Sequence, residues 1–455
     1  MNFDGAAIAG AAGGRLRAAA GSGPITTDTR AIRPGDWFLA LVGDRFDGHS
    51  FVPDAARAGV VGVVVARDVE VPDGVGVVRV RDTLHALQDL GRAARARLSG
   101  PVIGITGSAG KTTTRALTAL ALSPLGEVHQ TGANLNNHIG VPLTLLGAPE
   151  AAAASVIEMG TSGPGEIALL SDIGRPDVRM IVNVGPAHLE ELGGLDGVMR
   201  EKGGMFKFAV GGDTLCVNLD DPRVAGAPRP SRTRLIGWGR SADATIRLVD
   251  AVVDPQTLRT RARYATPEGE VATVLPVPGV HIAHNAAGAL AAALACGVRM
   301  EDAAAALARY EPVGMRMRIE HVEPGIVVFN DAYNANPSSM EASLQVLASL
   351  PGRRIAVLGD MLELGPEEAR WHEQVAAAAG DLGLDLVVFT GTRMARAAGA
   401  CVGARLVMVE PDPERVAAKL RPFLREGDRV LFKGSRGARV ERVLAALQGV
   451  VAEGH

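Results

Sequence analysis

Lys111 and Thr112 close a glycine-punctuated stretch, GITGSAGKTTT at residues 104–114, that directly follows the apolar run Pro101–Ile105. A strand, a glycine-rich loop and a helix start, in that order, make a phosphate cradle. Backbone N–H groups of the loop (Gly107, Ser108, Ala109, Gly110) and of the helix N-terminus (Lys111, Thr112, Thr113) converge on one spot. The lysine adds a point charge there, and the threonine hydroxyl is a ligand for Mg²⁺. A strict G-x-x-x-x-G-K-[ST] pattern would need glycine where Ile105 stands. The glycines are Gly104, Gly107 and Gly110, so this is a shortened variant, T-G-S-x-G-K-T-T. The loop implies a nucleoside triphosphate and leaves its use open.

Three further residues bear on that use. The apolar run ASVIEM ends in Glu158, and MIVNVGPAHLE leads to His188. Both are expected at the sheet edge that carries the phosphate loop. A carboxylate at a strand end beside such a loop suits Mg²⁺, which prefers hard oxygen donors together with phosphate oxygens. The same residue also reads as a solvated strand end, and a lone histidine as a hydrogen-bonded structural residue. Lys202 of REKGGMF, taken alone, reads as a surface lysine near a helix start.

The elements that must position these residues fall into three segments. At 455 residues the chain exceeds what one core supports, and about three domains are expected. Up to about residue 98 lie a turn-rich stretch, TTDTRAIRPGDWFLALVGDRFDGHSF, the run VVGVVVA and the helical pattern LHALQDLGRAARARL. From Pro101 the runs ASVIEM and VRMIVNV read as buried parallel strands. ATIRLVDAVV and LRTRARYAT read as hairpin strands and HIAHNAAGALAAALACGV as a packed helix. From near Gly314, GIVVFN, RRIAVLG, LDLVVFTG and DRVLFKG alternate with Ala-rich helices, the pattern of a doubly wound α/β sheet whose ligands sit beyond the strand C-termini. The fold class expected is therefore α/β with three domains: residues 1–99, a central P-loop ATPase-like parallel-sheet domain over 100–312, and a Rossmann-like domain over 313–455.

Composition narrows the setting. A net charge of −3 argues against nucleic acid or anionic membrane as a partner. Cys216, Cys296 and Cys401 are too widely spaced for a metal or redox pair and read as reduced thiols. No apolar run reaches the roughly 18 residues of a membrane span, and the Ala-rich start is too interrupted for a signal segment. A soluble, cytoplasmic protein is expected.

TGSAGKTTT, TGANLNNHIGVPLTLL, EMGTSGPGEI, NVGPAHLE, EKGGMF, GVHIAHN, EPVGMRM and NDAYNANPSSM occur here in the order and spacing of the Mur ligases, the ATP-dependent amino-acid ligases of peptidoglycan precursor synthesis. The chain resembles that family over essentially its whole length. NDAYNANPSSM and EPVGMRM, with LGDMLELG and KGSRG, look most like the member that adds a D-alanyl-D-alanine dipeptide. The resemblance implies ATP, UDP-MurNAc-tripeptide and D-Ala-D-Ala as substrates, and a monomer. It also implies two Mg²⁺ ions and a carbamate on Lys202. Lys111, Thr112 and Glu158 would hold the β,γ-phosphates and one Mg²⁺, and His188 would help bind the second. Lys202 falls at the family's CO₂-carbamylated position, where a cation becomes an anionic ligand. Asn134 and Asn137 would line the γ-phosphate and substrate side. Asn285 would contact adenine, Arg316 phosphate and Asp331 ribose. Thr27, Asp28, Thr29 and Arg30 of the first segment, with Thr161 and Ser162 of EMGTSGPGEI, would meet the UDP-linked substrate.

For the incoming dipeptide, Lys433 and Arg436 of KGSRG could hold its carboxylate, or be surface charge. Asn334 and Asn336 could pair with its polar ends, or form an Asx-type turn before a helix near Pro337. Two positions depart from the family pattern. Gly288 replaces the second asparagine of H-N-x-x-N-A, which puts one nucleotide contact in doubt or leaves it to backbone or water. Gly204 stands where K-G-E has its glutamate, a role that Glu201 could take over or that is missing here. The nearest rivals are the sibling that adds the third residue, whose D-N-P-R motif is absent here, and folylpolyglutamate synthetase. A nucleotide-binding partner protein without chemistry is the rival from another class.

Overall fold

The computed structural model describes residues 1–43 and 46–449. Asp44 and Arg45 of the turn-rich first-segment stretch, and residues 450–455, lie outside the described residues. Three sheets of five, nine and six strands follow one another along the chain. Each is flanked by helices, as an α/β protein requires.

In the first sheet Gly62–Val65, within VVGVVVA, is buried along its whole length and is paired in parallel on both sides. Helix Thr83–Arg97 follows it, capped by the Asp82 carboxylate, which accepts the His85 N–H. The second sheet places the phosphate loop. Strand Val102–Thr106 lies between Ala154–Glu158 and Val178–Ile181, all parallel and all buried. Continuous apolar runs are what a strand covered on both faces needs. The register pairs Glu158 with Ile105 and Ile181 with Thr106, so the three strands end together at one edge.

That sheet is not parallel throughout. Beyond Arg234–Gly239 and Ile246–Val253 it turns into an antiparallel meander through Thr260–Thr266 and Gly269–Leu275. The expected hairpin is present and gains a third strand. Helix Val280–Ala295 packs on helix Lys111–Leu122 behind the phosphate loop, and its alanines allow the close approach.

The third sheet is parallel except for its edge strand Arg318–Val322. The four strands read from the sequence are its interior. Arg318–Val322 and Val407–Val409 are the two edges, half-solvated or only three residues long, and therefore carry little apolar signal. Among the described residues no helix is long and apolar enough to cross a membrane.

Candidate active site

The three glycines of the phosphate loop have three different reasons. A Cβ at Gly104 would stand 2.6 Å from the Pro176 ring, so this glycine serves strand packing and lies before the loop proper. At Gly107 a Cβ would meet the Val182 side chain at 2.9 Å. Gly110 caps helix Lys111–Leu122 with φ at +77°, a left-handed conformation that favours glycine. The odd spacing seen in the sequence follows: the cradle itself is the short segment Gly107–Gly110.

Asn183, two residues past strand Val178–Ile181, pins that cradle. Its Oδ1 accepts the Ala109 N–H at 2.8 Å and its Nδ2 donates to the Ala109 carbonyl at 3.2 Å. The Ser108 hydroxyl donates to the Gly185 carbonyl and accepts the Gly185 N–H, both at 2.9 Å. Sequence reasoning does not single out Asn183. Its signals are that it opens the NVGPAHLE stretch and that it interrupts an apolar run just past a strand end, as Glu158 does on the other flank.

Glu158 is 3% exposed, so it is no solvated strand end. Its Oε2 accepts the Thr112 hydroxyl and its Oε1 the Asn136 amide, each at 2.9 Å. The Arg115 guanidinium lies 3.6 Å away. Two hard oxygen donors, Thr112 Oγ1 and the Glu158 carboxylate, thus sit side by side on the wall of the phosphate site, a donor set that fits Mg²⁺.

Lys202 is the largest correction to what the local sequence suggests. It is 0% exposed on helix Leu195–Lys207, and its Nζ has no hydrogen-bond partner among the described residues. Burial, reinforced by the nearby Lys111 ammonium, drives its pKa far down, so the neutral amine is favoured. An orphaned, neutral, buried amine is what reaction with CO₂ requires, and the carbamate would give it an anionic head. Burial also lowers the pKa of Lys111, against the pull of Glu158. The Lys111 ammonium donates to the Gly107 carbonyl at 2.9 Å.

Glu201 adds a negative charge near Lys202 while being engaged by backbone. Its carboxylate accepts the Gly165 and Ile167 N–H groups at 2.6 and 2.7 Å, fastening the Thr161–Gly165 loop to the start of helix Glu166–Gly174. Gly204 faces Ile167 and Phe208, away from the cavity, with ordinary room for a side chain. Gly288 likewise faces packed side chains. A Cβ there would lie 3.2 Å from Trp238 and 3.3 Å from the Met180 sulfur, in the core. The expected result for Gly288→Asn is therefore a loss of stability of about 1–3 kcal/mol from overpacking and a buried amide, with unchanged nucleotide affinity. Denaturant unfolding and nucleotide titration check the two halves.

The third segment closes the site. Asp331, at the end of strand Ile326–Asn330, accepts the Met317 N–H on Oδ1 at 3.1 Å. Its Oδ2 takes the Ser343 hydroxyl at 2.6 Å and the Lys433 ammonium at 2.5 Å. Lys433 is buried, so it is not surface charge, and it also donates to the Asn334 carbonyl. Arg436 is exposed on the short turn Arg436–Ala438 and does not line the cavity. Asn336 caps helix Pro337–Ala348 in a capping box with Ser339, in keeping with a turn before that helix, and its Nδ2 also reaches the Ser108 carbonyl at 3.3 Å. Arg316 stacks on the Tyr333 ring at 3.6 Å. Asn134 and Asn334 are exposed, and the Asn137 side chain accepts the Ile139 and Gly140 N–H groups just ahead of a helix.

One cavity of about 680 Å³ gathers most of these residues. Ser108 through Thr113, Asn134, Asn137, Glu158, Thr161, Ser162 and His188 line it from the second segment with Asn285, and Arg316, Asp331, Asn334, Asn336 and Lys433 from the third. His281, its pKa pushed by burial down to about 4, and Glu363 also line it; they lie in GVHIAHN and LGDMLELG, and the sequence alone gives neither a role. His188, at the cap of helix Leu189–Leu192, places Nδ1 2.6 Å from the Glu363 carboxylate. Gly107 and Lys202 are not among its lining residues. Thr27, Asp28, Thr29 and Arg30 are not brought to it. There Asp28 caps a short turn and pairs with an exposed Arg30.

Comparison with known proteins agrees with this geometry. Three family models match in succession: "Mur ligase family, catalytic domain" over residues 24–95, "Mur ligase middle domain" over 105–293 and "Mur ligase, glutamate ligase domain" over 315–436. The UDP-N-acetylmuramoyl-tripeptide–D-alanyl-D-alanine ligase of Bacillus subtilis is 36% identical, covering 93% of this chain and 92% of its own. A crystal structure of MurF from Acinetobacter baumannii superposes with a TM-score of 0.90 at 30% identity over 99% of both chains. MurF from Thermotoga maritima in complex with ADP gives 0.82 at 29% identity, over 94% of this chain and 97% of that one.

Proposed function

The chain belongs to the Mur ligase family, and from that premise we propose that it is the ATP-dependent ligase that joins D-alanyl-D-alanine to UDP-N-acetylmuramoyl-tripeptide. The observation that carries this is the shared wall of the cavity: a phosphate loop with Glu158 on one side, and Arg316, Asp331 and Asn336 of the third segment on the other.

Amide ligation asks for two positions in one closed space. The tripeptide carboxylate must first reach the γ-phosphate of ATP, and the dipeptide amine must then reach the acyl phosphate. The cradle N–H groups and Lys111 bind and orient the triphosphate. Arg316 adds charge from the opposite wall as the phosphoryl group transfers. The amine displaces phosphate through a tetrahedral intermediate, so the products are the amide, ADP and phosphate, with no protein nucleophile. Thr112, Glu158, His188 and a carbamylated Lys202 would hold two Mg²⁺ ions, whose charge stabilises the transferring phosphoryl group. The Asn336–Ser108 contact ties the third segment to the loop, and closure of that kind would keep water from the acyl phosphate.

The domain bounds that go with this reading are 1–99 for the UDP-linked substrate, with Thr27–Arg30 on it, 100–312 for ATP, and 313–455 for closure and the dipeptide. Cytoplasmic location and a monomer complete it. Phosphate release measured with ATP and UDP-MurNAc-tripeptide is expected to depend on added D-Ala-D-Ala and not on diaminopimelate, lysine or glutamate. Equal release with no amine present would leave only an ATPase.

A further inference from the structure

We propose that Glu363 is a positioning residue for His188, and that the pair is a latch through which the third segment completes the phosphate site as it closes. The proposal rests on the reading of His188 as a group facing bound metal and phosphate.

One residue grips two. The Glu363 carboxylate lies 2.6 Å from His188 Nδ1, and the Glu363 carbonyl accepts the Leu189 N–H at 2.9 Å. Both partners are non-glycine residues with left-handed backbone, His188 at φ +53° and Glu363 at +63°. Such conformations persist only where the surroundings impose them, and they concentrate at functional sites.

The loop that carries Glu363 is held stiffly from within the third segment. The Met361 N–H donates to Nε2 of the buried His372 at 3.0 Å, and His372 Nδ1 faces the Glu368 carbonyl at 2.7 Å. The Leu362 N–H donates to the Ser435 hydroxyl at 3.0 Å. The Asp360 carboxylate takes the Arg393 and Met394 N–H groups. From this fixed platform Glu363 reaches out to the second segment.

The consequence is chemical. With Nδ1 held against the Glu363 carboxylate, Nε2 is the ring nitrogen left for another partner. A second group that fixes the orientation of the ring commonly sets how well a histidine holds a metal. His188 sits in the middle-segment loop NVGPAHLE, whereas Glu363 belongs to the third segment. The ring is therefore oriented for the cavity only when the two segments meet.

The test uses the full-length protein with ADP, and Mn²⁺ in place of Mg²⁺, with bound Mn²⁺ counted by electron paramagnetic resonance. Glu363→Ala is expected to weaken Mn²⁺ binding about tenfold or more. Glu363→Gln, whose amide oxygen can still face Nδ1, is expected to retain most of it. Because the Glu363 side chain is half-exposed, both variants should unfold at the wild-type temperature. Small-angle scattering should show weaker compaction with ADP for the alanine variant. If Glu363→Ala binds Mn²⁺ like wild type while His188→Ala does not, the latch is wrong and the metal role of His188 survives. Normal Mn²⁺ binding by His188→Ala overturns both. Independent, additive losses in the double variant overturn the latch, because a positioning residue has no effect once its target is gone.

Discussion

Replacing Lys202 with alanine is expected to lower kcat about 10²–10³-fold, the usual scale for removing one electrostatic group from a preorganised transition-state site. Millimolar acetate or propionate should restore part of the rate, because a small carboxylate can enter the space of the missing carbamate head. The reason lies in the burial of Lys202. Its amine is enclosed, unpartnered and beside the Lys111 ammonium, so an unmodified protonated lysine there would be a charge conflict. The sign of the pH dependence follows. The folded pKa lies well below the unfolded value of about 10.4, so in the interval between them the unfolded chain binds the extra proton and stability rises with pH. The alanine variant loses that slope. In CO₂-free buffer near pH 7 it should be at least as stable as wild type, while remaining inactive. Normal turnover by Lys202→Ala would mean that no carbamate is needed.

Lys433→Met should act through stability first. It removes the cation from a buried pair and leaves the Asp331 carboxylate with only the Ser343 hydroxyl and the Met317 N–H. Breaking such a pair from one side costs about 3–5 kcal/mol, far more than loss of a surface ion pair. The double variant Lys433→Met, Asp331→Asn should recover a large part of that, since no charge is then stranded. Both variants should bind ATP poorly, because Asp331 lines the cavity. Denaturant midpoints and nucleotide titrations separate the two effects. A single-variant loss below about 1 kcal/mol would show that Asp331 is better solvated than its position implies.

Much of this site is legible in short stretches of the chain. The buried strands VIGIT, ASVIE and VRMI are continuous apolar runs, and the residues that end or follow them, Lys111, Thr112, Glu158 and His188, are local in sequence to those runs. Parallel strands place their C-termini at one edge, so local pattern is enough to bring these residues together. The interior strands of the third sheet are legible for the same reason. Its edges are not, since they are short or half-solvated.

What stays hidden depends on side-chain direction and on contacts between distant segments. Gly204 and Gly288 look like lost functional groups. Only the packing shows that one faces Ile167 and the other Trp238. Lys433 looks like a free cation until its partner, 102 positions away, is placed beside it. Lys202 looks like surface charge on local sequence alone, and burial reverses that. By itself the sequence determined the class of chemistry, because phosphate cradles and strand-end ligands are written in short contiguous patterns. The tertiary structure alone decided which charges are free and which are spent on one another, because pairing and desolvation act through space between segments that no local pattern connects.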